Sequence, residues 1–398
     1  MLGLGVIMMN YVFISPFFPP NYQYFIKALN ERGCSVLGIG SEPYDEVDSS
    51  LKESLTEYYQ VKDMEDYGEM LRACGYFIHR YGKLHRIESH NEHWLEKDAR
   101  LRTDFNVTGF KSGDMQCIKY KSNMKEVFRK AEIPVARGNV FETFKEASKL
   151  AKELGFPVCA KPDCGVGASH TYKLHSMEEL EGFFERKLSV PYIMEEFIEG
   201  EIHTFDGLTD QNGNIIFVST FIFDKGVMET VNDDLDMFYH NLRQIPEDLM
   251  EFGTKTVKAF GLKERFFHIE FFRTPEQNLI ALEINVRPPG GLSMDIFNYA
   301  DDVNYYDLYA QIVLGMPVDD KLDHHYYVAY AGRKTRDHIE HRHSQQTIMD
   351  KFGHLSIYQG PIASVFSAAI GDYAYILRSN ELEPLKEAAS FILERKAT

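Results

Sequence analysis

Apolar and polar positions alternate along residues 267–272 and again along 279–286, with the turn formers Thr274, Pro275, Glu276, Gln277 and Asn278 between them. Period-two alternation on both sides of a turn predicts a β-hairpin. Centred on Glu276–Gln277, the hairpin sets Glu270 opposite Glu283 and puts His268, Glu270, Glu283, Asn285 and Arg287 on one face. The other face carries Ile269, Phe271, Ile280, Leu282, Ile284 and Val286, an apolar set fit for a core. Like charges directly opposite one another destabilise a sheet, and a cation held between them removes that cost. Two carboxylates, an amide oxygen and an arginine compose a hard-cation site beside a phosphate clamp. Two solvated acids on a surface hairpin are the plain alternative.

The same patterning organises the rest of the chain. A short apolar strand at Tyr11–Ile14, a helix over Tyr22–Glu31 and a strand at Ser35–Ile39 form a β-loop-α-β opening, the start of a doubly wound domain. Helices are expected over Asp63–Cys74 and Glu88–Leu101 with a strand at Tyr76–His79 between them. Further helices are expected over Cys117–Ala131, Phe144–Leu154, Met177–Lys187, Leu249–Phe260 and Asn304–Leu314, with Ser176 and Glu179 at capping spacing. Strands are expected at Val158–Lys161, Tyr192–Ile198, Thr204–Leu208 and Ile215–Phe223, and a last helix near Glu383–Glu394. No repeat or low-complexity linker marks a domain boundary.

The 398 residues suffice for two or three domains. A formal charge of −17 argues against a general nucleic-acid binder, because phosphate backbones select basic faces, though a local basic pocket for a nucleotide remains open. Five cysteines without a CxxC pair suit a reducing cytoplasm better than a disulfide framework. No apolar run nears the roughly 18 residues of a membrane span. The opening MLGLGVIMM lacks a basic region and makes a poor signal peptide, so residues 1–8 are set aside and Met8 or Met9 is taken as a possible start.

Three more motifs bear on chemistry. In Ala160-Lys-Pro-Asp-Cys-Gly-Val-Gly-Ala-Ser169 a strand ending in Lys161 runs into a loop with Gly165, Gly167 and Ser169. Small residues let backbone N–H groups approach an anion, although such a loop is also an ordinary turn and lacks the Walker A spacing. Lys121 lies where a helix opens, a place that favours phosphate. The segment Ile193-Met-Glu-Glu-Phe-Ile-Glu-Gly-Glu201 is a strand leaving through an acidic hinge, whose backbone can mimic a base pair toward adenine.

In this order, Lys121, Lys161 with its glycine loop, the Glu-Glu-Phe-Ile hinge and the paired-Glu hairpin ending Glu-Ile-Asn-Val-Arg resemble the ATP-grasp superfamily. The resemblance covers roughly residues 10–315 and is narrowest to the carboxylate–amine ligase branch, which includes the L-amino-acid (dipeptide) ligases and is a cousin of the biotin carboxylases. It implies an α/β ATP-grasp fold: an N-terminal doubly wound domain over 9–115, a small α+β lid over 116–192, and a larger α+β lobe with the C-terminal portion over 193–398. It implies ATP and two Mg²⁺ ions as cofactors, with Mn²⁺ an acceptable substitute.

Carried over by motif, Lys121 and Lys161 would hold the α- and β-phosphates and the loop with Gly165, Gly167 and Ser169 would close over them. Glu195, Glu196, Phe197 and Ile198 would present backbone groups to adenine, with Glu201 near the ribose. Glu270 and Glu283 would bind the metals and Asn285 would complete the second site. Arg287 would stabilise the transferred phosphoryl group, and Gly290 and Gly291 would offer N–H groups to the substrate. The expected activity is ATP-dependent amide or peptide-bond formation through an acyl phosphate, releasing ADP and phosphate. A carboxylate is a poor electrophile, and phosphorylation supplies a leaving group by positioning and charge neutralisation.

The expected partners are a small carboxylate and an amine, with amino acids foremost. No nucleic acid or membrane is expected, and a homodimer is compatible with the resemblance. The competing expectations are bicarbonate activation of the biotin-carboxylase kind and a non-catalytic nucleotide-binding protein. Bicarbonate is disfavoured because no biotinyl Met-Lys-Met motif is present. Pro16-Phe-Phe-Pro-Pro20 replaces the glycine-rich loop that often helps hold the carboxylate substrate. Arg333, His203, Asp206 and the histidine-rich 338–343 stretch are left without an assigned role.

Overall fold

The protein is described by a computed structural model over residues 9–165, 170–318 and 324–396. Within those residues the strands form three sheets. The first is parallel, in the order β3-β2-β1-β4, from β1 (Asn10–Ile14), β2 (Ser35–Gly40), β3 (Glu57–Gln60) and β4 (Arg86–Glu88). Every residue of β1 is buried because both faces are covered. Tyr11 and Phe13 pack with Phe25 and the helix Tyr305–Val313, while Val12 and Ile14 pack with Cys74, Phe77 and Leu101.

The expected strand at Tyr76–His79 is instead the end of a helix, Tyr67–Tyr81. Met70, Ala73, Cys74 and Phe77 are its buried residues, spaced at i, i+3, i+4 and i+7, so the helical period overrides a four-residue apolar run. The fourth strand follows at Arg86–Glu88, and the next helix starts later than expected, at Leu95.

The second sheet is antiparallel, in the order β5-β8-β6-β7, from β5 (Gly138–Phe141), β6 (Val158–Pro162), β7 (Tyr172–Leu174) and β8 (Tyr192–Glu196). The helices Phe144–Leu154 and Met177–Arg186 pack on it around Phe183 and Tyr192. Thr143 and Ser176 cap those helices through their side-chain oxygens, as short polar N-caps do.

The third sheet is the largest: β9 (Glu201–Thr209), β10 (Ile215–Ser219), β11 (Phe221–Phe223), β12 (Met237–Asn241), β13 (Phe266–Arg273), β14 (Leu279–Asn285), β15 (Tyr327–Arg333), β16 (Ser356–Pro361) and β17 (Tyr373–Ser379). Its order is β14-β13-β9-β11-β12-β15-β17-β16, with β10 paired to β9. Phe205, Phe267, Ile269, Phe271 and Ile284 build a core with Met124 and Phe128 of the helix Lys121–Lys130 and Leu249 and Val257 of the helix Glu247–Ala259. That helix therefore shares its core with the large sheet, whereas the four-stranded sheet itself runs from 138 to 196. Among the described residues no helix is long and apolar enough to cross a membrane.

Candidate functional site

The β13–β14 hairpin pairs His268 with Asn285, Ile269 with Ile284 and Glu270 with Glu283. A register shift then makes Phe271 the partner of Ala281. The extra residue is Leu282, a β-bulge of the kind that re-aims side chains beside functional sites. It corrects the expected core face. Beyond the bulge Leu279 and Ala281 are buried in the core, while Ile280 is half-buried and Leu282 lines a cavity. Strict alternation from Ile284 cannot foresee that change of phase. Ala281 N donates to Pro134 O at 2.7 Å, so the shifted edge is used to dock residues 134–136.

On the face opposite the Phe267–Ile269–Phe271 core, β9 adds Thr204 beside Glu270 and Asp206 beside His268. His268 Nδ1 lies 2.6 Å from Asp206 Oδ1 and Nε2 lies 3.0 Å from Glu270 Oε1. Burial alone would lower the basicity of this imidazole, but the two carboxylates outweigh it and raise His268 to about 10. The ring is thus an imidazolium that fixes Glu270 from one side, and Glu270 Oε2 has no hydrogen-bond partner among the described residues.

Glu283 is held from the other side. Lys121 Nζ lies 3.1 Å from its Oε2, and Asn285 Nδ2 donates to its Oε1 at 3.3 Å. Burial opposes ionisation here, yet Lys121 and Lys161 outweigh it and hold Glu283 down at about 2. Lys121 is in place because the expected helix Cys117–Ala131 is broken. Tyr120 is extended (φ −94°, ψ 117°) and bridges Cys164, so Lys121 opens a new helix next to the chain that follows β6. Lys121 N donates to Asp163 O at 2.8 Å and its Nζ to Gly165 O at 3.2 Å.

A cavity of about 300 Å³ lies between the second and third sheets, a size suited to a small-molecule ligand. Lys121, Lys161, Glu195, Phe197, Ile198, Glu270 and Glu283 all contribute to it. Gly200, also on the wall, can be no larger, since a Cβ there would lie 2.5 Å from Arg273 O. The Glu195 carboxylate is buried between Lys125 Nζ (2.5 Å) and Lys161 Nζ (2.8 Å). Burial works against both charges, but the pairing prevails, raising Lys161 and lowering Glu195.

Lys125 was not singled out from sequence. Its signal was the i+4 spacing from Lys121 on one helix, which puts both ammonium groups over the same face. Lys173 also escaped notice. It lines the cavity with its Nζ 3.7 Å from the centre of the Phe197 ring, a cation–π contact.

Other expected residues lie elsewhere. Gly167 and Ser169 fall outside the described residues. Glu196 is tied to Arg137, whose Nε donates at 2.7 Å. The Glu201 side chain is mostly exposed and 3.5 Å from His203, while Glu199 and Gly200 line the cavity instead. Arg287 Nε lies 3.5 Å from Glu92 Oε2, and its Nη1 donates to Pro288 O at 2.9 Å. Gly290 and Gly291 follow at the turn into the helix Ser293–Asp301, with Gly291 at φ 64°. Arg333 donates to the backbone of Ile392 and His343 and so fastens the C-terminal helix.

A divalent cation fits this donor set. Glu270 and Glu283 are cross-strand partners, and among the described residues one oxygen of Glu270 and the carbonyl oxygen of Asn285 have no hydrogen-bond partner. Among the described residues no group of three or more His, Cys, Asp or Glu is arranged for a metal. Mg²⁺ does not require one, because it is bound through one or two carboxylates with phosphate oxygens and water.

The ATP-grasp domain family matches residues 154–295, and the three sheets, with a basic and acidic cavity between the second and third, agree with the ATP-grasp fold. Within that class the chain resembles the carboxylate–amine ligases. It is 25% identical over 242 residues to the L-arginine-specific L-amino acid ligase of Bacillus subtilis, a match covering 58% of each protein. The chain thus spans little more than half of that relative's length. Its fold matches the L-amino acid ligase from Bacillus licheniformis with a TM-score of 0.73 at 16% identity, over 98% of this chain and 99% of that one. It also matches the biotin carboxylase domain of 2-oxoglutarate carboxylase from Hydrogenobacter thermophilus, solved with MgADP and bicarbonate, with a TM-score of 0.67 at 18% identity over 94% of this chain and 87% of that one.

Proposed function

We propose that the chain is an ATP-dependent carboxylate–amine ligase that makes an amide through an acyl phosphate and releases ADP and phosphate. The observation that carries this reading is the facing pair Glu270 and Glu283 with Lys121 on Glu283, in a cavity that also holds Lys161. A site that only binds nucleotide gains little from two opposed carboxylates, whereas phosphoryl transfer needs them. The resemblance to L-amino acid ligases makes amino acids the expected acid and amine.

In this reading Glu270, Glu283 and Asn285 hold Mg²⁺, which neutralises charge on the phosphates when bound. Lys121 and Lys161 face the phosphate tail, and Glu195 keeps Lys161 extended and protonated. The chain from Glu196 to Ile198 takes the adenine edge. Arg287, freed from Glu92, meets the phosphoryl group as it passes to the carboxylate. The carboxylate oxygen attacks the γ-phosphorus and ADP leaves. The amine then adds to the acyl carbon, loses its proton and expels phosphate.

The test is incubation with ATP, Mg²⁺ and pairwise amino-acid mixtures, following ADP and identifying products by mass. Hydroxylamine in place of the amine traps the activated acid. An amino-acid hydroxamate with ADP supports the proposal. ADP formation that depends on bicarbonate alone would replace it with carboxylation chemistry, and tight ATP binding without turnover would make the chain a nucleotide binder.

A further inference from the structure

A second cavity, about 340 Å³ in volume, opens where the chain leaves Arg287, between the residues that follow β1, the start of the helix Ser293–Asp301 and β16 with the loop after it. Tyr24, Tyr299, Tyr358 and Phe366 wall it, and Gly291 sits at its side. Phe18 stacks on Phe366 at 5.8 Å, so the Pro16–Pro20 segment that replaces a glycine-rich loop buttresses this wall.

Asp295 is the charged side chain that lines the cavity. Asn21 Nδ2 lies 3.2 Å from Gly291 O and 3.0 Å from Asp295 Oδ2, which fixes the carboxylate against the turn that follows Arg287. Among the described residues no lysine, arginine or histidine pairs with Asp295. Lys27, in the adjoining depression, is 3.9 Å from Glu31. The first turn of its helix and the Asn21 amide offset part of the charge, yet burial still pushes the carboxyl above its ordinary range.

A carboxylate among aromatic rings, without a counter-cation, is suited to receive one. The ring faces attract a cation, and the carboxylate accepts its N–H groups in charge-assisted hydrogen bonds. We propose that this cavity receives an ammonium or guanidinium group of a substrate, with Asp295 as the residue that selects for the positive charge. That the cation belongs to a substrate rests on the ligase reading; the cation site does not.

Isothermal titration of the full chain with MgADP present tests the proposal, using arginine and lysine as probes. Citrulline and norleucine remove the side-chain charge, and 5-guanidinopentanoate and 6-aminohexanoate remove the α-ammonium. One of these removals is expected to weaken binding roughly 10- to 100-fold, the range of a hydrogen bond to a charged group. Asp295→Asn should erase that discrimination and leave MgADP affinity unchanged, which also reports an intact fold. Tyr358→Leu should weaken the cationic probe several-fold and its neutral counterpart little. Discrimination that survives Asp295→Asn, or none in the wild type, overturns the proposal. If the titrations succeed while no acid–amine mixture releases ADP, the ligase reading fails and the cation site stands.

Discussion

Lys121 Nζ lies 3.1 Å from Glu283 Oε2, which ties the first residue of a helix to an edge strand of the large sheet. In the proposed ligase the contact places the cation that faces the phosphates and the carboxylate that holds the metal side by side before any nucleotide arrives. On the ligase proposal, Glu283→Ala removes that carboxylate from the transfer step. Mg²⁺-dependent ADP release is expected to fall by at least the order of 10²–10³ that charge-stabilising groups contribute, with the circular dichroism spectrum unchanged. Near-normal ADP release in this variant contradicts the metal assignment.

Arg287 gives a different pattern. In the structure its guanidinium rests against Glu92, a contact that the proposed mechanism exchanges for the phosphoryl group. Arg287→Ala is expected to lower kcat on the order of 10²–10³-fold while ATP affinity, measured by titration, changes little. Arg287→Lys restores the charge but not the planar fork, and should recover only part of the loss.

The buried set Lys125–Glu195–Lys161 predicts an order of stabilities. Glu195→Gln leaves two buried ammonium groups facing each other, and removing one member of a buried ion pair costs about 3–5 kcal/mol. Lys125→Met leaves the neutral Lys161–Glu195 pair intact and should cost clearly less. Urea unfolding of the two variants measures the difference, and the reverse order contradicts a shared role for Glu195.

His90 predicts a pH dependence remote from the cavity. It is buried, stacked on Phe25 at 4.5 Å, with Nε2 3.2 Å from Tyr11 Oη. Burial, helped by Arg265 and Arg102 and opposed by Glu88, lowers it from 6.5 to about 3. The folded chain therefore holds this ring neutral while the unfolded chain protonates it below pH 6.5. Its stabilising contribution is full above pH 6.5 and declines as pH falls toward 3, by up to about 1.4 kcal/mol per pH unit. His90→Asn, which tolerates the positive φ of this position (57°), should have a shallower stability–pH slope in that range.

Much of this site could be read from the chain because its signals are local. The turn at 274–278 and the alternation on each side of it set Glu270 against Glu283, and the pairing is as expected. Two features were not legible for the same reason: each depends on a contact distant in sequence. The bulge at Leu282 belongs with the docking of residues 134–136 on Ala281. The break at Tyr120 belongs with its bridge to Cys164. Lys125 is an intermediate case. Its spacing from Lys121 was visible, but only the fold shows that Glu195 lies beneath it. The strand expected at Tyr76–His79 failed because four apolar residues fit either period, and the longer helical pattern from Met70 to Phe77 decides the matter.

The transfer of oxygen distinguishes acyl-phosphate chemistry from its alternatives. When a carboxylate is activated as an acyl phosphate and an amine displaces the phosphate, one carboxylate oxygen leaves with that phosphate. The chain is incubated with ATP, Mg²⁺ and amino acids labelled with ¹⁸O in their carboxylates, and the released phosphate is analysed by mass. The expected products are ADP and phosphate carrying one ¹⁸O atom. Unlabelled phosphate, or AMP with pyrophosphate, would contradict the ligase proposal.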